Sequence, residues 1–414
     1  MSAGLGLLKK LISDKRGIQT LTESGIARKY FRSEELEIYD AITNHQRLFK
    51  SVPSQRTVEV ETGIRFGNLP DEPLGYWIEQ VIKRYESQLI VNAVEKIKDQ
   101  AVGGRLSVAK DSLRELTFGL SGYGGRDKIH VLGKEAEQVM KAHNTRRAAS
   151  GLSGVPLGFP FLDRVLDGAQ SGDVVVLVGR PGVGKSYLML RFCLHTYLES
   201  EAVPLFVPME MTPFQCARRL LALKAKVSAT QLRLGRLDSL TEEAAFVHVN
   251  ELLGSEKPFY MIGASLKTTV EDLALRVQEL RPSALFVDGG YLLRTRKQFR
   301  AKWERISETA EVLKSIGYEF GIPVIASYQF SKKGLGLDNI GGSDDVAKLG
   351  SIVMGLRPER QADFFTGKDY KILQLLKGRE GESGSIRILF NMLNTTIDQD
   401  SVVDGDALIS EDSE

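Results

Sequence analysis

The sequence predicts an α/β protein with a largely parallel sheet, preceded by a small helical domain and a linker helix. Three observations predict it. From Gly154 onward, short apolar and β-branched runs alternate with helical stretches, the pattern of strands buried on both faces. The first of those runs passes directly into Gly179-Arg180-Pro181-Gly182-Val183-Gly184-Lys185-Ser186, a glycine-rich turn of the kind that joins a strand to a helix. Ahead of them, the first hundred residues carry apolar side chains at helical spacing, without the alternation of a sheet.

Taken in order, Glu34 to Leu48 sets Leu36, Ile38, Tyr39, Ile42 and Leu48 on a partial stripe of helical period. Gly75 to Ile97 carries a longer one, through Trp77, Ile78, Val81, Ile82, Tyr85, Leu89, Ile90 and Val94. Both predict a helical domain over residues 1–117. Glycines at 119, 122, 124 and 125 then break the chain, Lys134 to Arg147 reads as an isolated polar helix, and Gly151-Leu152-Ser153-Gly154 breaks it again. A helix between two hinges has little core of its own, so 118–150 is expected to be a hinge and a linker helix that docks elsewhere.

Strands are expected at Val174–Val178, Pro204–Val207, Phe259–Ile262, Ala284–Val287 and Pro323–Ala326. Helices are expected at Pro213–Lys226, Thr269–Leu280 and Ala301–Phe320. Lys371–Leu376 and Ser385–Phe390 flank Lys377–Gly384 as a hairpin does. The sheet domain therefore runs over 151–397. Asp398 to Glu414 holds seven acids, no base and no aromatic residue, and reads as a disordered acidic tail over 398–414.

Composition limits the function classes. With 42% hydrophobic and 26% charged residues the chain has material for a sizeable core, which excludes a disordered or collagenous protein. Its net charge of +2 hides an asymmetry, because without the seven tail acids the body carries +9. Cys193 and Cys216 are the only cysteines, which excludes a disulfide framework or a Cys-rich zinc site and fits a reducing compartment. The five histidines lack metal-ligand spacing. Lys9 and Lys10 interrupt the N-terminal apolar stretch before a signal-peptide core forms, and no run approaches a membrane span. A cytoplasmic protein, in a bacterial cell or a phage-infected host, is expected.

The chemistry centres on Gly179–Ser186, which matches the P-loop pattern GxxxxGK[ST] between an apolar strand and a helix. Its glycines let backbone N–H groups turn inward around phosphate oxygens at a helix N-terminus. Lys185 is expected to reach the β- and γ-phosphates of ATP, and the Ser186 hydroxyl to ligate Mg²⁺. Asp288 ends the run Ala284-Leu285-Phe286-Val287 and is the candidate second contact to Mg²⁺. Glu210, one residue beyond a strand, stands where ligands bind in open α/β sheets, so it is either the group that activates water or a helix-start acid. Gln329 ends a later strand and is either a γ-phosphate sensor or an ordinary loop glutamine. Lys377 and Arg379 are either a solvated hairpin tip or an arginine finger for a neighbouring subunit.

Further blocks run Pro208-Met209-Glu210-Met211-Thr212 through Arg218-Arg219-Leu220, Leu232-Arg233-Leu234-Gly235, Ser153-Gly154-Val155-Pro156 with Phe161-Leu162-Asp163, Ser327-Tyr328-Gln329-Phe330, and Lys377-Gly378-Arg379-Glu380-Gly381-Glu382-Ser383-Gly384. Through these blocks the sequence resembles the DnaB-type replicative helicases, in the manner of a divergent phage member. The resemblance covers Gly151 to about Ile397 and is loose in the N-terminal third. It implies a RecA-like domain and a homo-hexameric ring that binds ATP between subunits and moves 5′ to 3′ on single-stranded DNA, unwinding duplex at the fork. One subunit then supplies Lys185, Ser186, Glu210 as catalytic base, Asp288 and Gln329. Its neighbour supplies Lys377 and Arg379, and the Lys134–Arg147 helix packs against an adjacent subunit. A primase and a helicase loader are further candidate partners, and no membrane is.

Two features depart from the family pattern. Asp288 is followed by Gly289-Gly290-Tyr291 rather than directly by an aromatic residue, and Asn339 to Gly350 lacks the family's charged pattern. In that loop Gly341, Gly342 and Ser343 are candidates to hold DNA phosphates through backbone N–H groups. A second DNA candidate is the cluster Arg294, Arg296, Lys297, Arg300, Lys302 and Arg305, with Phe299 and Trp303 interleaved, which reads equally as a solvated helix face. The competing readings are another RecA-like ATPase, such as a recombinase or a KaiC-like phosphoswitch, and a nucleotide-gated loader or scaffold that binds DNA without separating strands. A single P-loop excludes tandem ATPase domains.

Overall fold

The computed structural model describes residues 3–15, 18, 20–21, 24, 26–120, 132–148, 151–263, 265, 267–297, 299–330, 345–359 and 368–403. The chain divides into two compact units, Met1–Ala149 and Ser150–Glu414.

The first unit is helical. Its described helices are α1 (Ala3–Ser13), α2 (Ser33–Phe49), α3 (Gln55–Thr62), α4 (Leu74–Val102), α5 (Leu106–Leu120) and α6 (Leu132–Ala148). The N-terminal stretch cut by Lys9 and Lys10 is the amphipathic helix α1, which buries Leu7, Leu8, Leu11 and Ile12 with Ile38, Ile42, Trp77 and Val81. The long stripe on α4 is only half used, since Trp77 and Val81 are buried while Leu89, Ile90, Val91 and Val94 are exposed. Glu35 is buried where α1, α2 and α4 meet. It accepts from both Arg84 Nη atoms at 2.5 and 2.7 Å and from the Gly4 N–H at 3.2 Å.

At Gly6 the α1 backbone approaches that core closely. A Cβ there would lie 2.4 Å from the Trp77 ring, whose neighbours are packed. Gly6→Ala is therefore expected to destabilise the helical unit by about 1–3 kcal/mol, the usual cost of overpacking. Urea unfolding of the full chain checks this, and an unchanged midpoint would mean that the indole moves aside freely.

The second unit is built on one sheet of nine strands among the described residues. They are β1 (Val174–Gly179), β2 (Pro204–Pro208), β3 (Tyr260–Met261), β4 (Ala284–Asp288), β5 (Val324–Gln329), β6 (Ile352–Pro358), β7 (Lys368–Lys377), β8 (Gly384–Asn391) and β9 (Thr396–Val403). Their order is β3-β2-β4-β5-β1-β6-β7-β8-β9. Pairings from β3 to β6 are parallel and those from β6 to β9 antiparallel. Every residue of β1, β2 and β4 is buried, as expected of strands covered on both faces. The helices of this unit include α7 (Pro160–Leu166), α8 (Lys185–Glu199), α9 (Pro213–Ala225), α10 (Ala229–Leu234), α11 (Ser239–Leu253), α12 (Val270–Leu280), α13 (Lys302–Phe320) and α14 (Asp345–Leu349).

The start of the expected disordered tail is corrected. Residues 398–403 belong to β9, paired antiparallel with β8. Ile397 fills the core, Gln399 accepts the Phe161 N–H at 3.1 Å, and Asp400 meets Arg387 at 3.3 Å. Acidic residues on the outer face of an edge strand protect its unpaired backbone, so composition alone resembles a tail. Residues 404–414 lie outside the described residues.

Candidate nucleotide site

Strand register assembles the site. Parallel pairing places Pro208 beside Asp288, Val287 beside Ala326, and Gly179 beside Gln329. The carboxyl ends of β2, β4, β5 and β1 therefore lie along one edge: β4 ends in Asp288 and β5 in Gln329, Glu210 lies two residues past β2, and the P-loop follows β1. This is the crevice where open α/β sheets bind ligands.

The P-loop leaves β1 at Gly179 and enters α8 at Lys185. Gly182 and Gly184 take φ of +79° and +104°, a region that favours glycine, so their N–H groups can turn inward. Behind Gly184 sit Phe390 and the buried Lys371, which pairs with Asp369 at 2.5 Å. Lys185 is buried and donates to the Gly179 and Arg180 carbonyls at 2.9 and 3.1 Å. Burial lowers its pKa, and the charges of Glu210 and Asp288 act in the opposite direction.

Asp288 is 3% exposed. Burial pushes its carboxyl above the usual range, against hydrogen bonds from the Ser186 and Ser327 hydroxyls. Ser327 Oγ donates to Asp288 Oδ1 at 2.8 Å and accepts the Gly289 N–H at 2.8 Å, fixing the carboxylate. Sequence reading placed Ser327 in a motif without giving it this task. The Ser186 hydroxyl and the Asp288 carboxylate are hard oxygen donors. They fit Mg²⁺, which takes one or two protein ligands and completes its shell with phosphate oxygens and water.

Glu210 follows β2 and is exposed. The Tyr291 hydroxyl donates to Glu210 Oε1, and Gln329 Nε2 donates to Tyr291 Oη at 2.5 Å. Tyr291 therefore joins two candidate residues that sequence reading had treated separately. The signal was the aromatic residue displaced by Gly289-Gly290, noted as a departure and not as a contact.

Lys377 and Arg379 stand at the other edge of the sheet. Val353 pairs with Val176 in β1 and with Lys377 in β7, so the β7–β8 turn lies toward the start of β1. Lys377 Nζ donates to the carbonyls of Ala347, Lys348 and Gly350. Arg379 donates to the Leu166 and Gly168 carbonyls, and its Nε lies 2.9 Å from Asp173 Oδ2 as an ion pair without hydrogen-bond alignment. In the basic cluster, Arg296 pairs with Asp272 and Lys297 with Glu308. Arg305 Nη2 donates to the Tyr291 carbonyl at 3.4 Å, while Arg294, Arg300, Lys302 and Trp303 are exposed. Gly341, Gly342 and Ser343 lie outside the described residues.

The family model for the DnaB-like helicase C-terminal domain matches residues 154–399. The chain belongs to this family. Replicative DNA helicase DnaB of Helicobacter pylori is 24% identical over 295 residues, 68% of this chain and 59% of that protein. DnaB of Treponema pallidum is 27% identical over 254 residues, 59% and 56% of the two. The chain thus spans little more than half the length of these relatives. A solved DnaB-like replicative helicase, described with its interactions with primase, superposes with a TM-score of 0.63 at 16% identity, covering 96% of this chain and 99% of that one. A second solved structure, of an ATPase domain alone, gives 0.57 at 19% identity over 64% of this chain and 97% of that one. The fold of this chain is therefore that of a DnaB-like helicase. Among the described residues no helix is long and apolar enough to cross a membrane.

Proposed function

We propose that the chain is an ATP-driven replicative DNA helicase, active as a homo-hexameric ring that moves 5′ to 3′ on single-stranded DNA and opens the fork in the cytoplasm. The observation that carries this reading is the row of Lys185, Ser186, Glu210, Asp288 and Gln329 along one sheet edge, within a member of the DnaB-like family. A nucleotide-gated scaffold has no need of the Glu210–Tyr291–Gln329 arrangement.

In this reading the loop Gly179–Ser186 holds the phosphates through its N–H groups, and Lys185 offsets charge on the γ-phosphate. Ser186 and Asp288 would hold a magnesium ion, which would supply positive charge against the phosphates. Glu210 accepts the proton of the attacking water, and Gln329 senses the γ-phosphate. Lys377 and Arg379 of a neighbouring copy supply the remaining cations. Backbone groups of residues 341–343, with the exposed Arg294 and Arg300, hold the strand. A primase and a loader are the partners expected of such a ring.

Strand displacement on a forked duplex tests this function. ATP with Mg²⁺ is expected to release the strand, and a non-hydrolysable analogue is expected to support DNA binding alone. Turnover of ATP without strand release would favour the scaffold reading.

A further inference from the structure

The departure after Asp288 has a structural consequence. Gly289 takes a φ of +103°, a conformation L side chains rarely adopt. Gly290 packs against Tyr328 so closely that a Cβ would lie 2.9 Å from its ring. The two glycines thus let the chain turn tightly into the short 3-10 turn Gly290–Leu292. That turn delivers the Tyr291 side chain between Glu210 and Gln329, and the Arg305 contact holds its backbone.

We propose that Tyr291 is a positioning residue that couples the sensor Gln329 to the base Glu210. The coupling runs through two hydrogen bonds in series, Gln329 Nε2–H to Tyr291 Oη and Tyr291 Oη–H to Glu210 Oε1. This rests on the reading of Glu210 as the base. A phenol has one proton to give. With the Gln329 amide filling one lone pair, that proton is directed to the carboxylate. Burial, and then the hydrogen bond to Glu210, raise the phenol's pKa, so Tyr291 stays a donor.

The need for such a group follows from exposure. Glu210 stands just past a strand end on a flexible side chain open to solvent. A carboxylate displaced by about 1 Å from the attacking water can lose up to about a hundredfold in rate. Tyr291 is half-buried, has few rotamers and is anchored through its backbone, so it can confine the carboxylate. The Gln329 amide has two N–H groups, so one can reach a γ-phosphate while the other stays on Tyr291 Oη and keeps the phenol aimed at the carboxylate. The state of the nucleotide thereby reaches the base through one hydroxyl.

Full-length Tyr291→Phe, Gln329→Ala, the double variant and Glu210→Gln test the proposal. Phosphate release is measured against ATP concentration, together with binding of a fluorescent ATP analogue and thermal unfolding. Tyr291→Phe keeps the ring, so melting and analogue affinity are expected to match the parent while kcat falls about tenfold at unchanged KM. A side chain that only supported the fold would move melting and KM as well. Gln329→Ala is expected to cost less in the Tyr291→Phe background than alone, because part of its effect passes through the hydroxyl. Glu210→Gln is expected to bind the analogue and lose turnover. An unchanged kcat in Tyr291→Phe or fully multiplicative effects with Gln329→Ala would overturn the coupling while Glu210 stands as base. Normal turnover in Glu210→Gln would overturn both.

Discussion

Lys185→Ala protein is expected to release no phosphate above background and to bind ATP much more weakly, while melting close to the parent. The ammonium is buried at the P-loop and already faces oxygen atoms, the Gly179 and Arg180 carbonyls. In a site screened from water, one donor aimed at developing charge is worth on the order of a hundredfold to a thousandfold in rate. Lys185 carries full charge in addition, so turnover is expected to fall further than that. Alanine keeps the helix-forming character of the first residue of α8 and leaves the loop glycines in place, which is why the fold should survive. Phosphate release, analogue binding and a melting curve on one preparation decide the matter. Retained hydrolysis would mean that another cation, such as the buried Lys371 behind Gly184, carries the phosphate charge.

Where one physical signal dominates, the sequence was readable. β1, β2, β4 and β5 are covered on both faces, so each begins as a continuous apolar run, and the ends of each lie within about three residues of their expected places. The P-loop was readable because its glycines answer a backbone demand. β6 (Ile352–Pro358) and α11 (Ser239–Leu253) were not anticipated. The first is one apolar run among many, and α11 buries only Ala245 among its described residues, leaving almost no stripe to read. β9 was hidden for the opposite reason, because its outward acids outweigh the single core residue Ile397.

Within the site, the strand-end residues Asp288 and Gln329 were legible because the rule that ligands sit at carboxyl ends of parallel strands depends on order alone. Contacts between side chains from different strands were not. Nothing in the chain indicates that Tyr291 reaches Glu210, 81 residues away, or that Ser327 holds Asp288. Those pairings depend on the register of β2, β4 and β5, which sequence periodicity does not number. The basic cluster shows the same gap in reverse. Arg296 and Lys297 read as DNA-facing or solvated cations, yet each meets an acid, Asp272 on α12 and Glu308 on α13.

Arg379→Ala is expected to have two separable effects, one on the fold and one on a neighbour's turnover. Arg379 lies beside Asp173, at the start of β1, whereas the P-loop lies at its end. Six residues at about 3.3 Å each put roughly 20 Å between them, beyond the reach of an arginine side chain. Any phosphate that Arg379 serves therefore belongs to another copy of the chain. Within its own chain, the arginine offsets the charge of a buried Asp173, whose carboxyl is already pushed upward by burial. Its loss should destabilise the sheet unit by about 1–3 kcal/mol, since Asp173 keeps the Gln170 N–H as a donor. The effect on turnover should be larger, about a thousandfold for a finger acting in trans. Asp173→Asn separates the two, because it breaks the same ion pair and leaves the guanidinium in place. It is expected to melt early yet keep most of its ATPase activity. Mixing Arg379→Ala with Lys185→Ala protein should restore part of the rate, since an intact P-loop then meets an intact Arg379 at some interfaces. If Asp173→Asn loses as much turnover as Arg379→Ala and mixing restores nothing, Arg379 acts on the fold alone.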